Sequence, residues 1–469
     1  MEFSSAHKTL KLSDGIEMKQ NGNLSITGNG DIKLNEAALK ELGFIIQWSE
    51  DGTVGTLTKI KEGHVVLSGE EIAFAAMAAE FTELISEVAR KIYDHPQMAF
   101  TETYACELLC EVLSSQGFEV ERNLRGVNPD TKDAWIMDTA FTATLKGNAS
   151  GPTIAILLEY DALPDGHACG HNLIASAGLS AALMLAKQMG ALPGKLIVYG
   201  TPGEEGKAGK AHMVEAGLFD GVDVALATHP GDRWATGSDF LATKTATIVF
   251  KGVPSHASAA PEKGISALDA AVIAYNAIEL QREHLRSDAR VHGFIRDGGK
   301  VTNVVPDRAE MDWGVRALDN VYMEKLADMI ERCARAGALA TGAEMEISWS
   351  VTYGAPVKVE ALDTMVIRLA EALTSGLVKP FDVLGSSDVG NVSFVLPTCN
   401  LWFGITPEGV MPHTKEFLAA SGASESIPSV LTAGTVIALA ARRLFMDREM
   451  VENYKEAFTL SKQKLIAQG

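Results

Sequence analysis

Three short runs of this 469-residue chain hold side chains that could bind a metal ion and move a proton. Cys169 and His171 stand two residues apart in Glu159-Tyr160-Asp161-Ala162-Leu163-Pro164-Asp165-Gly166-His167-Ala168-Cys169-Gly170-His171-Asn172. From a glycine-containing loop, a thiol and an imidazole at that spacing can turn toward one cation, whereas a helix would splay them. Taken alone, such a pair is more often a packed cysteine beside a hydrogen-bonded histidine. Glu204 and Glu205 are adjacent in Thr201-Pro202-Gly203-Glu204-Glu205-Gly206, and His229 follows Val224-Ala225-Leu226-Ala227-Thr228. An acidic pair usually marks a solvated loop, and a single histidine usually packs. Position changes the reading: three successive apolar runs end in thiol, carboxylate and imidazole donors, which points to metal-assisted chemistry at one shared edge.

The runs themselves read as strands. Thr153–Leu158, bounded by Gly151-Pro152 and a polar loop, has the pattern of a parallel strand covered on both faces. Leu173 to Lys187 reads as the helix returning over the sheet. Ala140–Leu145, Lys195–Gly200 and Val222–Thr228 add further strands, with helical runs between the later ones. This is the signature of an α/β domain with a mostly parallel sheet and helices on both faces, whose sites gather at the carboxyl ends of the strands. Before it come a helix from Ser68 to about Tyr93, with Ser68 and Glu71 as a capping box, and a helix from Glu102 to Gln116 that buries Cys106 and Cys110. After Thr243 the order changes to a strand (Thr245–Lys251), a helix (Ser266–Glu283), two strands (Arg290–Arg296 and Arg308–Leu318), a helix (Tyr322–Ala340) and a strand (Glu344–Ser350). That β-α-β-β-α-β order is ferredoxin-like. The expected organisation is an N-terminal extension over 1–68, a catalytic domain built from 69–242 and 356–469, and an inserted α+β domain over 243–355. The extension reads as small hairpins around Leu24–Thr27 and Val54–Leu57, with a helix near Asn35–Leu42.

His167-Ala168-Cys169-Gly170-His171, the Pro202-x-Glu204-Glu205 turn, His229 and Met411-Pro412-His413-Thr414 together resemble the five-ligand set of the co-catalytic metallopeptidases. That family includes aminoacylases, glutamate-releasing carboxypeptidases and plant auxin-conjugate amidohydrolases, and the resemblance is to its amidohydrolase branch. Glu159–Pro164, Gly170–Ile174 and Ser387–Ser393 are most similar in pattern to aminobenzoyl-glutamate hydrolases and related dipeptidases. The likeness spans roughly residues 70 to 445. Thr201 and Gly203 depart from the usual turn, and the segment between Pro164 and His167 is a residue short, but no ligand is lost. The resemblance implies that Cys169, His171, Glu205, His229 and His413 bind two divalent ions, zinc or manganese. It makes Glu204 the general base beside an acidified water and Asp161 an orienting partner of a ligand, with His167 near the ions without binding them. It makes the insert a lid that dimerises, placing His256 in the partner's site as an oxyanion donor. Asn303 and Arg316 would grip a substrate carboxylate, a task suited to arginine's planar fork. The plainer reading of Arg316 is a strand residue paired with Asp312 or Asp319. His7, His64, His212 and His284 read as surface residues, while His95 and His292 match the family without being ligands.

A formal charge of -19 excludes nucleic acid and anionic membrane surfaces as the natural partners, leaving small molecules. Five scattered cysteines form no disulfide framework, so a reducing compartment, the cytoplasm, is expected. Met1-Glu2-Phe3-Ser4-Ser5 lacks the features of a signal peptide, and no uninterrupted apolar run reaches the length of a membrane span. The expectation is a homodimeric or larger cytoplasmic hydrolase that cleaves an amide bond in an N-acyl amino acid, an aminobenzoyl-glutamate-like conjugate or an unusual dipeptide. Two alternatives are an enzyme that removes ammonia or a carbamoyl group at the same site, and a binding protein that keeps the fold without catalysis.

Overall fold

The computed structural model describes Val65, residues 67–382 and residues 385–468, together with the backbone of four short strands nearer the N-terminus. Those strands form two antiparallel hairpins, β1 (Glu2–Ser4) with β2 (Thr9–Lys11) and β3 (Phe44–Trp48) with β4 (Gly55–Lys59), in a compact unit of their own, Met1–Glu70. The expected turn-strand at Val54–Leu57 overlaps β4. Leu24–Thr27, the helix near Asn35–Leu42, His7 and His64 lie outside the described residues.

The second unit, Glu71–Gly469, carries two sheets. It is entered through helix α1 (Gly69–Ala76), a 3₁₀ turn (Met77–Phe81) and α2 (Thr82–Asp94). The single helix expected there is therefore interrupted: Ala78 and Phe81, three apart, are both buried, and a three-residue period puts them on one face. Helix α3 (Thr103–Ser115) buries Cys106 and Cys110 as expected.

The larger sheet is built from β5 (Glu119–Val127), β6 (Ala134–Lys146), β7 (Thr153–Leu158), β8 (Lys195–Gly200), β9 (Val224–Gly231) and, much later, β14 (Thr398–Gly404). Its order is β14-β9-β7-β8-β6-β5; the first four run parallel, and β6 and β5 close one side antiparallel. The strand expected at Ala140–Leu145 is the second half of the longer β6, which pairs with β5 from Ala134 to Thr144 and with β8 from Phe141 to Lys146. Helix α4 (His171–Ala186) follows β7 and lies on one face, where a Cβ on Gly178 would come within 2.7 Å of Leu158, so only glycine admits this approach. Helix α5 (Gly209–Glu215) covers the other face, where Met213 joins Leu157, Ile197 and Ala225 in one core.

The smaller sheet contains β10 (Ala242–Lys251), β11 (Arg290–Asp297), β12 (Arg308–Ala317) and β13 (Glu344–Trp349), in the antiparallel order β11-β12-β10-β13. Helices α6 (Ala267–Gln281) and α7 (Asn320–Thr341) pack on it around Phe250, Met311, Trp313 and Ile330, which gives the ferredoxin-like arrangement. The chain enters and leaves this insert side by side. Thr243 N–H donates to the Tyr353 carbonyl at 3.0 Å, and Tyr353 N–H donates back to the Thr243 carbonyl at 3.1 Å.

The larger sheet then resumes through α8 (Glu360–Leu373), α9 (Val389–Ser393), β14, α10 (Lys415–Ser421), α11 (Ile427–Met446) and α12 (Arg448–Gln468). Val389 and Val392 of α9 join Met213 in the core of the second face. The mostly parallel sheet with helices on both faces matches the sequence reading. Ser424–Met446 is long and apolar enough to cross a membrane by length and composition alone, but it is interrupted by polar residues and 67% of its apolar window is buried inside the protein. Its Gly434 lies against Ser180 of α4, so the apolar surface is taken up by the core.

Candidate metal centre and active site

The donors converge at the carboxyl ends of β7, β8 and β9. Gly170 adopts a left-handed backbone (φ 77°), and α4 begins directly after it at His171 rather than at Leu173. Cys169 is thus the last loop residue but one and His171 the first helical one. The strand expected to stop at Thr228 continues to Gly231 because β14 pairs alongside it, so His229 lies within β9 opposite Trp402. The Trp402 indole stacks on the His229 ring at 4.1 Å between centroids.

Each ring is oriented from behind. His171 Nδ1 lies 2.9 Å from Asp161 Oδ1 and His229 Nδ1 lies 2.7 Å from the Pro230 carbonyl, which leaves both Nε2 atoms facing the centre. Cys169 Sγ is 3.6 Å from His229 Nε2, and His413 Nε2 is 3.2 Å from Glu205 Oε1. His413 itself has a positive φ of 68°, a conformation that costs a histidine energy, and its N–H donates to the Ala168 carbonyl at 2.8 Å. The donor atoms form three overlapping groups, each within 4.8 Å: Cys169–His171–His229, Cys169–Glu205–His413 and His171–Glu204–Glu205.

These residues fit divalent ions. His171 Nε2 is buried with no hydrogen-bond partner, and the buried Glu205 Oε1 meets only the His413 ring, a costly state unless a cation completes them. Burial alone would raise the Cys169 thiol, but the imidazoles of His171 and His229 outweigh it and bring it down to about 6. The proximity of Cys169 and Glu205 raises His413 to about 10. Glu204 is buried, and burial, then the carboxylates of Asp388 and Glu159, push its carboxyl well above the usual range.

Glu204 and Glu205 sit in a tight turn rather than a helix, with Gly203 at φ 71°, Gly206 at φ 77° and Ala208 at φ 50°. The turn is pinned by Asp161 and by Glu102, the latter a side chain that the sequence reading did not single out. Gly203 N–H donates to Glu102 Oε1 at 2.8 Å, and Glu102 Oε2 accepts from Thr139 Oγ1 at 2.9 Å. Burial, and then Asp161 nearby, raise Glu102 to about 7. Glu205 N–H donates to Asp161 Oδ2 at 2.8 Å, as an orienting role for Asp161 requires. The fully buried Lys210 binds Asp388 Oδ1 at 2.6 Å and Glu159 Oε1 at 2.8 Å, while Glu159 Oε2 lies 3.7 Å from His171 Nε2. The local signal for Glu159 was a carboxylate closing an apolar strand; Lys210 had none.

A cavity of about 510 Å³ opens on Cys169, Glu204, Glu205, His229 and His413, and Arg316, Tyr353, Phe240 and Trp402 also line it. Arg316 donates to Ser386 Oγ at 3.2 Å. Neither plainer partner is available: Asp312 is held by Arg296 and Thr247, and Asp319 by Arg286. His256 and Asn303 are exposed and do not line the cavity. The His256 ring accepts the Ser258 and Ala259 N–H groups at 3.3 Å, and the Asn303 carbonyl accepts Ala257 N–H at 3.0 Å. His167 stands outside the donor groups, as expected. His212, read as a surface residue, is buried: α5 packs it against β5, where its Nδ1 lies 3.2 Å from the Val127 carbonyl and Trp135 meets its ring edge. His95, His284 and His292 are exposed.

Residues 155–430 match the family described as Peptidase family M20/M25/M40. The chain belongs to this family. Xaa-Arg dipeptidase of Homo sapiens is 32% identical over 404 residues, covering 82% of this chain and 91% of that protein. A p-aminobenzoyl-glutamate hydrolase polypeptide from Escherichia coli K12 is 28% identical over 450 residues, covering 79% and 91%. Among solved structures, the fold is shared with an aminobenzoyl-glutamate utilization protein from Klebsiella pneumoniae (TM-score 0.62, 21% identity, 79% of this chain and 98% of that one). A dinuclear metal-binding peptidase of the M20 family from Bacillus subtilis also shares it (TM-score 0.57, 21% identity, 78% and 99%). This M20-family protein is a metal-dependent hydrolase of amide bonds, with divalent metal ions as its cofactor.

The site also sets how the enzyme tolerates acid. Burial, and then His171 close by, push the His167 imidazole from 6.5 down to about 4, with its Nε2 held 3.1 Å from the Ile92 carbonyl. Between those values the unfolded chain takes a proton that the folded one refuses, so stability present above about pH 6.5 is lost as pH falls toward 4. Replacing His167 by Gln should flatten that fall by up to about 1.4 kcal/mol per pH unit in denaturant melts of the M20-family hydrolase. An unchanged slope would show that His167 is not held neutral.

Proposed function

We propose that Cys169, His171, Glu205, His229 and His413 hold two divalent ions, and that Glu204 is the general base for hydrolysis of an amide in a small substrate carrying a free carboxylate. The observation behind this reading is the convergence of the unpartnered His171 Nε2 with the thiol of Cys169, the ring of His229 and the Glu205–His413 pair at one end of the cavity. Thiolate and imidazole favour zinc, while the carboxylate and imidazole donors also suit manganese. Bound there, the ions would supply Lewis acidity and lower the pKa of a water toward about 7. Glu204, next in the chain to Glu205, takes the proton from the attacking water and returns it to the leaving amine. Arg316, which lines the cavity and has no carboxylate partner among the described residues, grips the substrate carboxylate; Asn303, exposed and outside this chain's cavity, would join it only from a second copy.

The relatives named for dipeptides, aminobenzoyl-glutamate and N-acetylcysteine support a substrate that is an N-acyl amino acid, an aminobenzoyl-glutamate-like conjugate or an unusual dipeptide. The exposure of His256 supports a role across a twofold: β11 is an edge strand of the smaller sheet, and pairing it with a second copy would cover that edge. His256 then donates to the developing oxyanion in the other chain's site. All five cysteines are free thiols, which supports the cytoplasm as the compartment.

A panel of such amides, assayed with zinc- or manganese-loaded protein, tests the reading. Release of ammonia instead of a substituted amine, or no turnover at all, would contradict it. Glu204→Gln should keep its metal and lose roughly 10² to 10⁴ in rate; loss of metal instead would make Glu204 a ligand. His256→Ala should lower kcat by about 10² to 10³ with metal content unchanged. Mixing His256→Ala chains with Glu204→Gln chains should then restore one working site per heterodimer. Verified heterodimers with no recovered activity would place His256 outside the partner's chemistry.

A further inference from the structure

The turn that carries Glu204 is held from two directions. Glu102 and Asp161 reach it from the larger domain, through the Gly203 and Glu205 N–H groups. Tyr353 reaches it from the crossing into the insert: its hydroxyl donates to the Glu204 carbonyl at 2.7 Å and accepts the Ala208 N–H at 3.0 Å, closing the turn at both ends. Both hydrogen-bonding functions of the hydroxyl are thereby taken, and Ala208 is kept in its left-handed conformation. The other end of Tyr353 is equally fixed. Its backbone pairs with Thr243, and Asn391 braces the flanking residues, accepting Gly354 N–H at 3.1 Å and donating to the Thr352 carbonyl at 3.0 Å. A phenol is rigid beyond two torsions, so it transmits displacement instead of absorbing it.

We propose that Tyr353 is a positioning residue that couples the setting of the insert to the setting of Glu204. A movement of the insert that displaces the paired Thr243 and Tyr353 crossing either drags the Glu204 turn or breaks both hydroxyl bonds, so the base is correctly placed only when the insert is in register. This rests on the assignment of Glu204 as the base. Tyr353 lines the cavity but acts through Glu204.

The test uses the metal-loaded full-length protein. In Tyr353→Phe, which keeps the ring, amide hydrogen exchange over residues 203–209 should rise about fivefold or more, the effect of losing one or two such bonds. Asn391→Ala, which loosens the crossing, should also speed exchange in that turn, but add nothing on top of Tyr353→Phe. With any amide the enzyme hydrolyses, Tyr353→Phe should lower kcat about tenfold to a hundredfold, with KM within about twofold and metal content unchanged. On a Glu204→Gln background it should cost nothing further. A turn unmoved by Asn391→Ala, or a loss that multiplies with Glu204→Gln, would overturn the coupling. Failure to hydrolyse any amide would count against the proposed function instead, and the exchange measurements would still decide the role of Tyr353.

Discussion

Asp161 places one carboxylate oxygen 2.9 Å from His171 Nδ1 and the other 2.8 Å from the Glu205 N–H, and most of the site follows from that double contact. The first contact fixes which ring nitrogen of His171 faces the centre. The second fixes the turn after β8 relative to the loop after β7. An imidazole that follows one strand and a carboxylate that follows the next are thus set by a single buried group. No comparable precision would come from the two loops alone, because each contains left-handed glycines with little preference of their own.

Concentrating carboxylates at one sheet edge has an electrostatic cost, and the fold meets it with a buried lysine. Glu159, Asp388 and Glu204 are all buried near one another, and Lys210 lies between the first two with no exposure to water. A buried ion cluster of this kind adds little to stability, since desolvation offsets much of the attraction. Its effect is to fix geometry: it ties the end of β7 to α5 and to the start of α9. One buried cation therefore sits among the carboxylates of the site, in a chain whose overall charge is -19.

The parts of the site that were legible in the sequence were those with a local signature. An apolar run that stops in a donor residue is visible from the chain alone, so Cys169, His171, Glu205 and His229 could be found, and His413 came from a short motif. The ferredoxin-like insert was legible because each of its elements has a clear period. Illegible were the residues whose meaning lies in a distant partner. Tyr353 and Glu204 are 149 positions apart, and Lys210 and Asp388 are 178 apart, so no pattern near either residue announces the bond. His212 was misread for the same reason, since its burial depends on β5, a strand that the sequence pattern did not reveal. The break between α1 and α2 was missed because a 3₁₀ turn and an α-helix share most of their apolar spacing.

The central claim is that two ions share the Cys169–Glu205 cluster while Glu204 stays uncoordinated. Anomalous diffraction at the metal absorption edge, from crystals of the zinc-loaded protein, tests this directly. The account predicts two peaks per chain, each within about 2.0–2.3 Å of donor atoms drawn from Cys169, His171, Glu205, His229 and His413. A single peak, peaks elsewhere, or a zinc bonded to the Glu204 carboxylate would contradict it.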